Sequence, residues 1–202
     1  MKTYYLRYGF WGTIYMIKCK LITKLFFKNA RLIRLPIDIR GKKFIDFGNS
    51  LTTGKYCRFE ALVKGIEKQD KHSLVFGSNV TINDSVHIGA MNSVIIGNDV
   101  LIASKVFISD HSHGDYKEIG TDPSIPPAQR KEVAAAVVIE DNVWIGEFVS
   151  ILPGVTIGQG SIIGTMSVVN KSIPPFCIAV GAPARVIKKY NFDNKQWERY
   201  HE

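Results

Sequence analysis

From Ile139 onward an aliphatic residue returns at every sixth position: Ile139, Ile145, Ile151, Ile157, Ile163 and Val169. Glycine follows it in Ile145-Gly146, Ile157-Gly158 and Ile163-Gly164, and a small or branched residue stands four positions on. A period of six fits neither the helical repeat nor the two-residue alternation of a hairpin strand. It is the period of a parallel β-helix, in which each hexapeptide supplies one short strand and one turn, and three hexapeptides make one triangular coil. Equivalent residues of successive coils then stack, and the repeated aliphatic side chain fills the prism.

The same register runs backwards. It falls on Phe76, Ile82 and Ile88, slips by two residues, and resumes at Ile96, Ile102 and Ile108; a weaker set lies at Phe47, Thr53 and Phe59. Ordinary strands with glycine turns would instead alternate in twos and be irregularly spaced. The chain therefore divides into an N-terminal helical, basic extension over 1–43, a β-helix over 44–185, and a short C-terminal helix over 186–202 that covers the last coil. Polar stretches mark loop excursions near 64–73 and 110–136. The second opens with Asp110-His111-Ser112-His113-Gly114 and carries Pro123, Pro126 and Pro127. A long irregular loop inside a compact repeat is uncommon unless it serves a function.

With 202 residues, 46% of them apolar, the chain suits one core with appendages. A β-helix leaves large flat faces, which points to a homotrimer that covers them. Cys19, Cys57 and Cys177 have neither disulfide-framework nor zinc spacing, in keeping with a reducing cytoplasm. The apolar stretch from Gly9 to Ile17 is cut short by Lys18 and Lys20, and no small-residue cleavage site follows, so it reads as neither a membrane span nor a secretory signal. The formal charge of +8 is concentrated in the first half and comes without a nucleic-acid motif, so no nucleic-acid partner is expected. Lysines and arginines interleaved with Phe10, Trp11, Tyr15, Leu21, Leu25, Phe26 and Phe27 fit two roles. One is a helix capping the open end of the prism; the other is a basic amphipathic helix in peripheral contact with the inner membrane face.

Four segments carry a family resemblance: Asn142-Val143-Trp144-Ile145-Gly146, Ile151-Leu152-Pro153-Gly154-Val155-Thr156-Ile157-Gly158, Ile173-Pro174-Pro175, and Ala179-Val180-Gly181-Ala182-Pro183-Ala184-Arg185-Val186-Ile187. Over residues 74–189 the chain resembles the hexapeptide-repeat acyltransferases, and among them the O-acetyltransferases of O-antigen, lipopolysaccharide and capsule assembly. The resemblance implies a left-handed β-helix and an acetyl-CoA-dependent O-acetyltransferase acting on a sugar hydroxyl, with no metal required. An alcohol is a poor nucleophile at neutral pH, and imidazole is the side chain that titrates there. The family's base falls on His113, with His111 the second choice, and Asp110 or Asp115 is placed in sequence to orient the ring.

Carried over in the same way, the backbone N–H of Glu147 is the oxyanion donor, with Trp144 near the acyl-donor arm or the sugar, and Gly146 allowing close backbone approach. Coenzyme A contacts fall on Thr165, Asn170, Lys171, Arg185 and Lys188. The acceptor contact falls on Asn83, with Asp110 and Tyr116 on the acceptor side. The N-terminal extension departs from the galactoside and maltose enzymes, so the resemblance does not specify which sugar is used. Three other readings compete: N-acetylation of an amino sugar, a metal hydratase like the γ-class carbonic anhydrases using His87, His111 and His113, and a non-catalytic trimeric scaffold.

Overall fold

The computed structural model describes residues 2–62, 72–116 and 120–200, with side chains from Tyr5 on. Of the excursion expected at 64–73, all but His72 and Ser73 lies outside these residues. The body is a left-handed parallel β-helix with three faces. The first face stacks Ile37–Arg40, Cys57–Ala61, His87–Ala90, Phe107–Ser109, Ser150–Ile151 and Val168–Val169. The second stacks Ile45–Asp46, Leu74–Phe76, Val94–Ile96, Val137–Ile139 and Thr156–Ile157. The third stacks Thr81–Ile82, Leu101–Ile102, Trp144–Ile145, Ile162–Ile163 and Cys177–Val180.

The stacking follows the hexapeptide register. Ile139 pairs with Ile157, Ile145 with Ile163 and Ile151 with Val169, while Phe76, Ile82 and Ile88 pair with Ile96, Ile102 and Ile108 across the two-residue slip. All of these side chains are buried, as are the valines two positions before many of them, including Val80, Val100, Val143 and Val149. Each buried aliphatic side chain stabilises the fold by about 1.5–3 kcal/mol. Where serine replaces the valine, its hydroxyl is satisfied: Ser161 donates to Pro174 O and Ser167 to Gly164 O. The N-terminal end is filled by rings, with Phe59 against Phe76, Phe76 against Phe47 and Phe47 against Phe27.

Helix α1, Lys2–Phe26, kinks at Gly9, where φ is +67°. Its inner face packs through Met16 and Cys19 against Leu32, with Tyr8, Tyr15 and Leu35 around them. Thr23 Oγ accepts from Ile33 N–H and donates to Cys19 O, tying the helix to the first coil. Phe27 and Ala30, just past the helix, close the prism.

Three expected boundaries are corrected. The prism begins before residue 44: Leu32 already bridges Thr52, and Ile37–Arg40 pairs in parallel with Cys57–Arg58–Phe59–Glu60. The alternation of Ile37 and Ile39 with Asp38 and Arg40 supports that strand, with both isoleucines packed against the core. The excursion at 110–136 is not irregular at its two ends, where His111–His113 and Glu132–Ala134 form an antiparallel arm. The described part of 186–202, up to residue 200, does not form a helix either. Arg185–Asn191 folds back antiparallel on Cys177–Val180 and forms a hairpin with Gln196–Arg199. Asn191 and Asn194 side chains accept backbone N–H bonds in its turn, and Tyr190 faces Trp197 across the strands with ring centroids 5.2 Å apart. Cross-strand aromatic pairing and the unsatisfied edge of the last coil favour strand over helix here.

Candidate active site

The arm leaves the prism where the first face turns into the second, at a fully buried carboxylate. Asp110 Oδ1 accepts from Met91 N–H at 2.8 Å, and Oδ2 accepts from Asn92 and Ser93 N–H, both at 2.7 Å. His111 Nδ1 lies 2.9 Å from Oδ1. Burial alone would raise the Asp110 pKa. The bonds from His111 and the three backbone donors outweigh it and hold the carboxyl below its ordinary value. An ionised Asp110 can only accept, so it selects the tautomer of the uncharged ring that carries its proton on Nδ1 and its lone pair on Nε2. Of the two carboxylates placed in sequence to orient a ring, Asp110 is the one in contact with His111 Nδ1.

His113 lies two residues along the same strand, so both rings project from one side of the arm. Its ring is 57% exposed, with Nδ1 3.7 Å from Glu132 Oε1, against 15% exposure for the His111 side chain. Tyr116 Oη donates to His113 O and accepts from Arg130, whose guanidinium also binds Ile125 O and Pro123 O. Tyr116 thereby braces the arm, a role distinct from the acceptor contact expected of it.

The outer surface of the first face supplies residues that sequence reasoning missed. Glu60, Gly89 and Ser109 stand in one column, and Arg58, His87 and Phe107 in the next. Gly89 leaves the gap that the His111 ring covers: a Cβ at 89 would lie 3.1 Å from His111 Cε1. One rung down, the buried Glu60 carboxylate binds Arg58 at 2.7 Å and both Arg40 and His87 Nε2 at 2.8 Å. Burial again opposes ionisation of Glu60, and the Arg58 and His87 bonds win, holding its pKa low. Phe107 packs edge-on to His87 and is itself 38% exposed. The result is a fixed shelf of hydrogen-bonding groups and one aromatic surface beside the His111 imidazole. Only the outward alternation in Cys57-Arg58-Phe59-Glu60-Ala61 signals it in the sequence, since its members come from separate coils.

The other expected residues fall in two further places. Lys171 and Arg185 line one cavity of about 340 Å³ at the C-terminal end of the prism, with Asn170 next in sequence. Lys188 sits in the neighbouring strand position opposite Ile178. Asn83, Gly146, Glu147 and Thr165 lie along the edge where the third face turns into the first, and Trp144 stands half-exposed on the third face beside it. That edge is separated from the arm by the width of the first face, roughly 15 Å. A single protomer therefore does not bring Glu147 to His111. Gly146 has a packing reason of its own: a Cβ there would lie 2.7 Å from Thr165 N and 2.8 Å from Ile163 O of the next coil. Among the described residues, His87 Nε2 is engaged by Glu60 and His111 Nδ1 by Asp110, and no cluster has metal-holding geometry.

Residues 136–171 match the bacterial transferase hexapeptide family, described by six repeats. Over 195 residues, 96% of this chain and 96% of the other, the sequence is 45% identical to WbbJ of Escherichia coli (strain K12), assigned as a lipopolysaccharide biosynthesis O-acetyl transferase. Among solved structures, galactoside acetyltransferase in complex with coenzyme A is 29% identical with a TM-score of 0.53, covering 86% of this chain and 70% of that one. A mutant of AntD, an N-acyltransferase from Bacillus cereus solved with dTDP-4-amino-4,6-dideoxyglucose and coenzyme A, shares the fold at a TM-score of 0.67 and 24% identity, covering 86% and 90%.

Proposed function

Since this chain belongs to the bacterial hexapeptide-repeat acetyltransferases, we propose that it transfers an acetyl group from acetyl-CoA to a sugar hydroxyl during assembly of a surface polysaccharide: O-antigen, lipopolysaccharide or capsule. The single observation that carries this reading is the Asp110–His111 pair, an imidazole whose Nδ1 is held 2.9 Å from a buried carboxylate at the root of the arm. The likeness over nearly the full length to WbbJ supports a hydroxyl acceptor and the polysaccharide setting. The coenzyme A complex of galactoside acetyltransferase supports the donor.

The chemistry is direct transfer. Nε2 accepts the hydroxyl proton as the sugar oxygen attacks the thioester carbonyl, and the carbonyl electrons move onto oxygen. Backbone N–H donors stabilise that oxyanion, the role expected of Glu147. As the tetrahedral intermediate collapses, the C–S bond breaks and the imidazolium returns its proton to the departing thiolate. General-base help of this kind contributes about 10²- to 10⁴-fold. The dyad geometry favours His111 as the base, whereas the resemblance puts His113 first; both rings face the same side.

The separation of Glu147 from His111 within a protomer supports a homotrimer in which the arm edge of one subunit meets the Trp144–Glu147 edge of the next. Lys171 and Arg185 then receive coenzyme A phosphates, and the acceptor lies over Phe107, His87 and Arg58. A cytoplasmic site of action fits the acetyl-CoA donor and the three free, buried cysteines. The test is mass spectrometry of the cell-surface polysaccharide from cells making the wild type, His111→Ala or His113→Ala. One acetyl group present with the wild type and absent with at least one histidine variant is expected. Acetylation retained by both variants, or absent with the wild type, overturns the reading.

A further inference from the structure

Helix α1 is apolar on two opposite faces, and the structure covers only one of them. The inner face, through Met16, Cys19 and Thr23, is buried against the first coil. Past the Gly9 kink, Phe10, Ile14, Ile17, Leu21 and Leu25 recur at three- and four-residue steps on the reverse side and are 44–72% exposed. At 1.5 Å per residue this stripe is roughly 22 Å long. Lys18 flanks it on one side and Lys20 and Lys24 on the other. No acidic residue precedes Asp38, whereas Lys2, Arg7, Lys18, Lys20, Lys24, Lys28, Arg31 and Arg34 do. Beside the stripe, an open groove of about 360 Å³ is walled by Ile17 and Leu21 and rimmed by Lys20, Lys24, Lys28 and Arg31.

We propose that the outer face of α1 docks the enzyme flat on an anionic lipid bilayer, with the apolar stripe at the acyl boundary and the cationic groove receiving lipid phosphate. An apolar stripe with cations on both flanks is the pattern of an interfacial helix. Each basic residue near an anionic surface adds to the attraction. No described helix is long and apolar enough to cross a membrane, so the contact is peripheral. Pairing this face with the same face of a second copy would bring two lysine-flanked stripes together, which like-charge repulsion opposes. The proposal stands apart from the acyl-transfer reading, because α1 contributes no residue to the arm or the shelf.

The test is flotation of the full chain with vesicles of phosphatidylcholine made anionic with about 30% phosphatidylglycerol, against phosphatidylcholine alone. The wild type is expected to float with the anionic vesicles and far less with the neutral ones. Ile14→Ser combined with Leu21→Ser should lower the bound fraction about tenfold, and Lys20→Glu with Lys24→Glu should abolish the anionic preference. Unchanged melting curves for both variants would show that the body remains folded. The proposal is overturned if the wild type ignores anionic vesicles or if the serine variant floats as the wild type does. It is equally overturned if the serine variant alters the oligomeric state by light scattering, which would assign the face to a neighbouring subunit.

Discussion

Asp110→Asn keeps the size of a fully buried side chain and removes its charge. Each Asp110 oxygen accepts two bonds: Oδ1 from Met91 N–H and His111 Nδ1, Oδ2 from Asn92 and Ser93 N–H. An amide offers one such oxygen. Turned so that its oxygen keeps Asn92 and Ser93, its NH₂ meets Met91 N–H and forces His111 to accept at Nδ1. The other orientation sets the NH₂ against two donors at 2.7 Å, so the first is preferred. The charge-assisted bond from Met91 is lost and the other three become neutral, which at about 1.5–3 kcal/mol per charged bond and about 1 per neutral one costs about 6 kcal/mol. For a chain of this size that lowers Tm by about 12–24 °C.

The same substitution moves the His111 proton to Nε2, removing the lone pair from the reacting side. Nitrogen-15 shifts of the ring should show the Nδ1-protonated tautomer in the wild type and the Nε2-protonated one in the variant. Because the folded Asp110 pKa lies below its ordinary value, its contribution is present above about pH 4 and is lost as pH falls through the folded pKa. The stability gap between wild type and Asp110→Asn should close over that acidic range. An unchanged His111 tautomer together with unchanged Tm in Asp110→Asn would refute the reasoning.

Other outcomes are expected. Gly89→Ala places a Cβ 3.1 Å from His111 Cε1 and should displace the ring, lowering turnover about tenfold or more with little change in Tm; normal turnover would show that the ring's seat is unimportant. Gly146→Ala pushes into the backbone of the next coil and should destabilise by about 1–3 kcal/mol or more, read in a urea melt. Burial pushes the Cys57 thiol up to about 11, and its Sγ–H donates to Asn83 O. That neutral thiol stabilises the fold below the ordinary thiol pKa, and the contribution fades as pH rises toward 11, so Cys57→Ala should flatten the alkaline limb of a stability–pH curve.

The prism was legible because a β-helix repeats one steric requirement many times, and Ile139, Ile145 and Ile151 all report it. The phase slip was legible as well, and it appears as the pairing of Phe76 with Ile96. The appendages answer to single contacts and were not. Nothing in Val186–Tyr200 alone distinguishes an amphipathic helix from a hairpin, until the open edge of Cys177–Val180 is present to pair with Arg185–Asn191. The arm strands Glu132–Ala134 and His111–His113 are too short to announce themselves. Of the candidate site, the sequence nominates His113 by resemblance, His111 as second choice, Asp110 or Asp115 by proximity, and Lys171 and Arg185 by resemblance. The shelf of Arg58, Glu60 and His87 was missed because its contacts exist only once coils stack.

The central claim is that the reaction takes place between two protomers, with the arm imidazole of one beside the Trp144–Glu147 edge of the next. A crystal structure of the protein bound to coenzyme A measures this directly. The account predicts the thiol within about 4 Å of a histidine Nε2 on one arm and of Glu147 N–H on the adjoining subunit, with the phosphates at Lys171 and Arg185. A thiol more than about 10 Å from both His111 and His113, or a coenzyme held wholly by one protomer, would contradict it.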